Sequence, residues 1–346
     1  MKAYDSINIR IAVSWLLLAL LSVSPCMGKD LKQIILLETM PVKVVIDRSY
    51  WFQVQMKELG YHEGVNMNLT ILEANGSYST AESLLKNALK KVQPDLVMTS
   101  ATLASQAGVK LLRGTNIPQL FFTVADPVGA GLVEKIGVPT GKNITGRVHN
   151  ITRETKVKLV LQLIGDKIKT RPIRFGYIHS TYPSVVGDIR DLKAIATNNK
   201  NITFITYEIP YRKFPENLDY MLKESLKGLK QLEGKVDFFW EPLGPFAESI
   251  EYNKLLQSKA TVPVVHGVTR QSVQAGALLY LAPDAEAAGR EIGVLADKIL
   301  KGAAVGDIPV IPPVKFNLGI NLTTAQKMNI VIPPNILKLA EKNIFH

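Results

Sequence analysis

Short apolar runs alternate with helix-length segments along most of the chain. The clearest example joins the apolar runs 95–98 and 119–123 through an alanine-rich segment. Each run stops at small or polar residues, Thr99 and Ser100 after the first and Asp126 after the second. This alternation is typical of parallel strands that are joined by crossover helices.

The same pattern extends over two successive sets of elements. In the first set we predict strands at 33–38, 68–73, 95–98 and 119–123 and helices at 44–60 and 79–91. In the second we predict strands at 173–178, 202–208, 236–240 and 262–265 and helices at 154–164, 185–197, 217–230 and 248–258. Segment 277–282 is predicted to cross back to the first set, before a helix at 284–302, a strand at 315–321 and helices at 323–328 and 335–343. The predicted fold class is α/β, with two doubly wound lobes whose mostly parallel sheets are covered on both faces.

Ligands of such sheets bind beyond the carboxyl ends of the strands. The side chains at those ends are therefore the candidate site. They are Glu38, Thr39, Thr99, Ser100, Thr102 and Asp126 in the first lobe and His179, Ser180, Tyr182, Glu241, His266 and Arg270 in the second. Hydroxyl groups and free amides at helix starts suit a carboxylate, and acidic side chains suit an ammonium group. A site with both would hold a zwitterion such as an amino acid.

Several candidates also have a purely structural interpretation. Ser100 could cap a helix that begins near Ala101. Asp126 precedes Pro127, which is a common turn signal. His179 and His266 could be ordinary loop histidines. For Trp240, at the end of an apolar strand, core packing is the favoured prediction.

Two motifs resemble one bacterial family. The run Asp126–Leu132 reads DPVGAGL after a strand that begins with Ile-Pro, and 141–146 reads GKNITG. Together they resemble the ABC-transporter substrate-binding proteins related to the tryptophan/tyrosine-type binding proteins, over about Gln33 to Ile344. The resemblance implies a fold like that of the type I periplasmic binding proteins, with a hinge of two or three strands that lets the lobes close around a ligand. It places 29–147 and about 283–315 in lobe 1, and 148–282 with part of the tail in lobe 2.

The function that the resemblance implies is an extracytoplasmic solute-binding protein of an ABC importer. Such a protein would capture a small polar organic molecule, with an amino acid as one candidate, and pass it to a permease in the inner membrane. It would act as a monomer, without a cofactor. The chain departs from the family where it has Glu241-Pro242-Leu243 instead of Asp-Asn-Thr, and where Gly267–Arg270 replace an acidic pair. The identity of the ligand stays open.

The N-terminal residues predict export. Lys2 and Arg10 precede the apolar run 11–21, and small residues follow as far as Gly28. This is the pattern of a signal peptide, which we expect to span 1–28 and to direct the protein to the periplasm. The single cysteine, Cys26, excludes an internal disulfide and offers lipid anchoring as an alternative. Pro25 directly before it disfavours that alternative.

Charge and motifs narrow the function further. The net charge is +11, from 41 Lys and Arg against 30 Asp and Glu, but the basic residues are scattered without interleaved aromatics, so no nucleic acid is expected. The sequence has no HExxH, no P-loop and no GxSxG motif, so a metal site, ATP hydrolysis and a serine nucleophile are not predicted. Two alternatives remain beside the transport receptor. One is a sensory module that signals to a membrane kinase or cyclase, and the other is an enzyme that uses Asp126, Glu241, His179 or His266 as acid and base.

Overall fold

The computed structural model describes residues 31–167, 170–213 and 217–346. The predicted signal peptide and Cys26 lie outside the described residues. The described residues form two α/β lobes, each built on its own sheet. The predicted fold class is confirmed.

Lobe 1 has a five-stranded, fully parallel sheet in the order β2-β1-β3-β4-β5. Its elements are β1 (Lys32–Glu38), α1 (Lys43–Glu58), β2 (Met67–Glu73), α2 (Tyr78–Lys91), β3 (Leu96–Ser100), α3 (Thr102–Leu112), β4 (Gln119–Val124) and β5 (Ile144–Val148). Every residue of β3 and β4 is buried, as expected for central strands with helices on both faces.

Lobe 2 has a seven-stranded sheet in the order β12-β11-β10-β9-β8-β6-β7. Its elements are α4 (Arg153–Ile164), β6 (Ile173–Ser180), α5 (Pro183–Asn198), β7 (Ile202–Ile209), α6 (Asn217–Leu232), β8 (Phe238–Trp240), α7 (Ile250–Lys259), β9 (Val264–Gly267), α8 (Arg270–Ala275), β10 (Leu279–Pro283), β11 (Phe316–Asn321), α10 (Leu322–Lys327), α11 (Pro334–Ala340) and β12 (Ile344–Phe345). The pairing of β10 with β11 is antiparallel, and the other pairings are parallel.

The chain passes between the lobes at three places among the described residues. These are the segment between β5 and α4, the junction between β10 and helix α9 (Ala285–Leu300), and the segment before β11. Helix α9 returns to lobe 1, where it packs against α1 and against residues of β1 such as Ile34 and Leu36. Helices α9 and α1 approach each other closely at Gly289, where an added Cβ atom would lie only 2.5 Å from Cβ of Trp51. Three adjacent segments of the chain thus join the lobes, and together they can serve as a hinge.

The main differences from the predicted elements occur at the lobe boundaries. Residues 144–148 form β5, which pairs with β4 and was not among the predicted strands. Residues 279–283 form β10 inside the lobe 2 sheet, and the crossing comes after Pro283. The reason is burial, because Leu279 and its neighbours pack in the lobe 2 core. Trp240 is 2% exposed in the same core, as predicted.

In the part of the chain that the structure describes, no helix is both long enough and apolar enough to span a bilayer.

Candidate functional site

The carboxyl ends of β1, β3 and β4 in lobe 1 face those of β6, β8 and β9 in lobe 2 across a cleft. The space left between the walls is small, about 50 Å³, and it is partly open to solvent. Its walls are mainly apolar and come from the loops that follow these strands. They include Met40, Val42, Val45 and Ala125 from lobe 1 and Tyr182, Leu243, Pro245 and Val268 from lobe 2. The polar lining groups include Thr102, Thr123, His149, Ser184 and Glu248.

Two wall residues of lobe 1 have backbone conformations that are unusual for residues with side chains. Ala101, which precedes α3, has a φ of 68°, and Thr123 near the end of β4 has a φ of 58°. Such left-handed conformations cost about 1–3 kcal/mol each and concentrate at ligand sites. Backbone strain in lobe 1 therefore lies where this lobe faces lobe 2.

Tyr182 of lobe 2 reaches across the cleft to the N-terminus of α3. Its hydroxyl group is surrounded by the side chains of Thr39 and Thr102 and by the backbone amides of Thr102 and Leu103. Burial raises the pKa of Tyr182 to about 12, and these hydrogen bonds oppose the rise. The amides that the sequence analysis assigned to a ligand carboxylate thus face a hydroxyl group of the protein itself.

Further bonds join the lobes at the rim of the cleft. Arg190 of α5 donates from Nη2 to Oδ2 of Asp126 over 2.9 Å. Oδ1 of the same carboxylate accepts from the backbone amide of Gly129 over 2.8 Å. Tyr211 donates from its hydroxyl to the carbonyl of Gly76 over 3.0 Å. Asp126 therefore lies at the rim and connects the lobes.

Three further predicted residues of lobe 1, Thr39, Thr99 and Ser100, lie directly behind the wall. Thr39 donates from Oγ1 to the carbonyl of Ser100 over 3.0 Å and accepts from the amide of Ala104 over 3.0 Å. Ser100 donates to Oγ1 of Thr123 over 3.3 Å and does not cap α3. Thr99 accepts from the Gln119 amide group. These side chains support the strained loops instead of lining the cleft.

Glu38 is also behind the wall. Its carboxylate accepts a hydrogen bond from the hydroxyl of Ser49 on α1, and it is 8% exposed. Burial raises the pKa of Glu38. Glu38 therefore ties the end of β1 to α1.

The two predicted histidines of lobe 2 point into that lobe. His179 is 3% exposed, its Nδ1 lies 3.1 Å from the Ser180 carbonyl, and burial lowers its pKa. His266 stacks on Trp240 with ring centroids 4.2 Å apart, and neither of its ring nitrogens has a hydrogen-bond partner. Burial lowers the pKa of His266 well below its ordinary value. Both imidazoles are neutral groups of the lobe 2 interior.

Glu241 is fully buried beside the loop that follows β9. Its Oε2 accepts from Oγ of Ser272 over 2.6 Å and from the amide of Val268 over 3.0 Å, whereas Oε1 has no partner. Burial raises the pKa of Glu241 to about 7. Glu241 thus positions Val268, which lines the cleft. Of the residues predicted from the sequence, Thr102 and Tyr182 line the cleft. The side chains of the last strand residues turn into the lobes, and the loops after them form the walls.

The structure adds two charged residues that the strand-end argument missed. Glu248 lines the cleft from the loop before α7, and burial raises its pKa to about 7. Arg48 lies on α1 and is 2% exposed. The sequence held a signal for Arg48, because it falls at helical spacing between Val45 and Phe52 on the buried face of α1. An arginine on the apolar face of a predicted helix needs an explanation.

Among residues 31–167, 170–213 and 217–346, no group of three or more His, Cys, Asp or Glu side chains is arranged to hold a metal ion.

Comparison with known proteins gives consistent results. A curated tyrosine-binding protein of Clostridioides difficile (strain R20291) is 25% identical over 284 residues, which is 82% of this chain and 73% of that protein. A Streptococcus pneumoniae ABC domain solved in complex with L-Trp superposes with a TM-score of 0.75 and 23% identity, covering 91% of this chain and 99% of that one. A conserved domain protein of Vibrio cholerae O1 biovar El Tor also gives 0.75, with 20% identity and coverage of 92% and 100%. These two structures share the fold of this chain.

The model of a protein family described as "ABC transporter substrate binding protein" matches residues 49–344, from within α1 to β12, which is most of the chain. The chain therefore belongs to the ABC transporter substrate-binding protein family.

Proposed function

We propose that this protein is the extracytoplasmic receptor of an ABC importer. It holds a small solute between its lobes and presents the closed form to a permease in the inner membrane. It acts as a monomer and performs no covalent chemistry on the solute. Family membership and the cleft between the strand ends of both lobes support this proposal.

The observation on which the proposal chiefly rests is that one cleft is shared by two lobes that a three-strand hinge connects. A solute that contacts both walls binds the closed form more tightly than the open form, so it shifts the equilibrium towards closure. Bonds such as Arg190–Asp126 and Tyr211–Gly76 belong to the closed arrangement, because each joins lobe 1 to lobe 2.

The solute class that fits the walls is an amino acid with an apolar or aromatic side chain. The apolar body would lie between residues such as Val42 and Leu243, and Glu248 offers a carboxylate to an ammonium group. The name of the C. difficile relative specifies tyrosine, and the S. pneumoniae structure contains L-Trp. Both relatives support this class.

The location is part of the proposal. The charged start, the apolar run 11–21 and the small residues up to Gly28 support cleavage after Gly28 and release into the periplasm. A Cys26→Ser variant should be processed and released like the wild type. Retention of the wild type in membranes through an acylated Cys26 would contradict this part of the proposal.

A thermal-shift panel tests the solute class. The purified protein is heated with L-tyrosine, L-tryptophan, L-phenylalanine and L-leucine, and with sugars and purines as the comparison set. A solute that binds only the folded protein raises the melting temperature, by an amount set by its concentration relative to Kd. We expect shifts with one or more of the amino acids. Shifts confined to sugars or purines would contradict the proposed class.

A further inference from the structure

A second cavity adjoins the cleft at the hinge. We call it the hinge cavity and define it by Arg48, His149, Asn150, Lys156, Glu248 and Arg270. It shares Val44, His149, Leu243, Glu248 and Val268 with the cleft, so the two spaces adjoin along one wall. Its residues come from α1 of lobe 1, from the first crossover and from lobe 2.

Arg48 is the central residue of the hinge cavity. Its Nε and Nη1 atoms are buried and have no hydrogen-bond partner. Burial lowers the pKa of Arg48 to about 10, with Glu248 acting in the opposite direction, so the guanidinium stays protonated at neutral pH. Burying a cation whose donors have no partner destabilises the folded state, unless an anion or another acceptor binds those donors.

The neighbouring donors have the same preference for an anion. The side-chain amide nitrogen of Asn150 has no partner, and its Oδ1 accepts from Nζ of Lys156 over 2.9 Å. Lys156 is 4% exposed, and burial lowers its pKa to about 8. The Nδ1 atom of His149 is buried without a partner as well. Donors from both lobes and from the crossover therefore meet in one cavity.

The acidic groups around the cavity, Glu248, Asp47 and Asp284, attract Arg48, but none of them accepts a hydrogen bond from its Nε or Nη1. Asp47 accepts from Lys43 over 2.7 Å. Asp284 caps α9 and also accepts from the Asn317 side chain over 2.8 Å. The third acidic group, Glu248, lies on the wall that the hinge cavity shares with the cleft.

We propose that the hinge cavity binds the carboxylate of the solute and that Arg48 is the residue that contacts it. The guanidinium fork suits a carboxylate, and Asn150 and Lys156 supply further donors. The solute's ammonium group then lies towards Glu248, and its side chain extends into the apolar cleft. This inference rests on the proposed function and replaces the helix start at Ala101, where the Tyr182 hydroxyl group faces the amides, as the carboxylate site.

The position of the donors also connects recognition to closure. Arg48 moves with lobe 1, Lys156 with lobe 2, and Asn150 lies in the crossover between them. A carboxylate that contacts all three favours the closed arrangement, whereas a solute without the carboxylate leaves Arg48 unpaired. Specificity for amino acids over amines follows from this arrangement.

Calorimetric titrations of the full protein test the inference. The probes are L-tryptophan, L-tryptophanamide and tryptamine, together with the matching tyrosine series. We expect the wild type to bind the amide and the amine at least about 30-fold more weakly than the amino acid, because losing one partner of a buried charged pair costs about 2 kcal/mol or more. Arg48→Gln should lose at least the same factor for the amino acid and should discriminate little between the three probes.

The controls separate recognition from folding. Arg171→Gln removes a positive charge that pairs with Asp237 and lines neither cavity, so its affinities should equal those of the wild type. Without solute, Arg48→Gln should melt at the same temperature as the wild type or higher, since a buried charge without a partner is removed. If Arg48→Gln fails to fold, Arg48→Lys and the wild-type comparison of acid with amide still decide the question.

The outcomes also distinguish the origin of the anion. Equal binding of amino acid and amide to the wild type would overturn the inference. If sodium acetate bound at Arg48 without affecting amino-acid affinity, the cavity would hold a separate anion, which would also overturn it. Absence of binding by every amino acid in the wild type would instead contradict the proposed solute class, and the inference with it.

Discussion

At the residue scale, Glu248 and Glu241 show how two similar carboxyl groups can have different roles. Burial raises the pKa of each to about 7. Glu248 lies on the cleft wall, with Arg48, Asp47 and Lys43 as its charged neighbours. Glu241 is enclosed and holds the amide of Val268 and the hydroxyl of Ser272. We therefore assign solute contact to Glu248 and structural support to Glu241.

Glu248 predicts a pH dependence of solute affinity. An ammonium group is attracted to the ionised carboxylate, and the fraction of ionised Glu248 falls as the pH drops through about 7. Amino-acid affinity should fall several-fold between pH 8 and pH 6 in the wild type. In Glu248→Gln it should be lower at pH 8 and should no longer fall towards pH 6, because Lys156 gains charge as the pH drops through about 8. Calorimetry at three pH values measures this, and an equally steep dependence in the variant would remove Glu248 from the solute contact.

Glu241 predicts a pH dependence of stability. Its pKa is raised from an ordinary value of 4.5 to about 7 on folding, so the folded state binds this proton more tightly than the unfolded state. The resulting stabilisation is complete below the lower value and is lost as the pH rises through about 7. Urea unfolding should show wild-type stability falling relative to Glu241→Gln by up to about 2–3 kcal/mol between pH 5 and pH 8.

The comparison between the two proteins serves as the control for Glu241. The buried, neutral His149 and His266 change stability in the opposite direction, but they are present in both proteins and cancel in the difference. A difference between wild type and variant that stays constant over this pH range would contradict the assignment.

At the element scale, α5 approaches lobe 1 closely at Gly187. A Cβ atom on Gly187 would lie 2.7 Å from Oδ2 of Asp126, which Arg190 of the same helix also contacts. Gly187 therefore permits the contact between α5 and the rim of lobe 1 in the closed arrangement.

Gly187→Ala should weaken solute binding, and it should not destabilise the folded protein without solute. The added methyl group opposes closure, so solute affinity should fall several-fold. In the helix interior, alanine is favoured over glycine by about 1 kcal/mol, so the free energy of unfolding without solute should stay equal or rise. Calorimetry and urea unfolding of the same variant measure the two effects.

Gly165→Ala is the matched control for this prediction. Gly165 follows α4 with helical backbone angles and has open space around its Cβ position. Its variant should bind solute like the wild type. If both variants bind like the wild type, the contact between Gly187 and Asp126 does not contribute to closure.

Most elements of the fold could be predicted from hydrophobic pattern, and most functional side chains could not. Strands such as β3 and β4 are continuous apolar runs, because helices cover both faces of a parallel sheet. The same burial turns Thr99, Ser100 and Glu241, at or beside the ends of their strands, away from the cleft, and the hydrophobic pattern does not indicate this. The loops near the cleft were found, but which loop residue faces lobe 2 depends on local conformations such as the positive φ of Ala101.

Arg48 was missed for a different reason. It lies on a helix and not at a strand end, and its role depends on the packing of α1 beside the crossovers. Sequence pattern alone does not reveal which helix face lies beside a hinge. Glu248 was missed because the predicted helix began at residue 248. In the structure α7 begins at Ile250, so Glu248 lies in the loop before it.

At the scale of the whole molecule, the account predicts a change of shape. The lobes are joined by three crossovers, and the bonds between Arg190 and Asp126 and between Tyr211 and Gly76 form only when the rims meet. Small-angle scattering should show a larger radius of gyration without solute than with a saturating amino acid. The bound form should agree with the closed arrangement described above. An unchanged radius would count against closure about the hinge.

The central claim is that one solute lies between the lobes, with its carboxylate at Arg48 and its apolar side chain in the cleft. A crystal structure of the protein with the amino acid that gives the largest thermal shift tests this most directly. The account predicts the carboxylate within hydrogen-bonding distance of the Arg48 guanidinium, the ammonium group beside Glu248 and the side chain against Leu243. A solute bound outside the cleft, or one whose carboxylate displaces Tyr182 at the N-terminus of α3 while Arg48 stays unpaired, would contradict it.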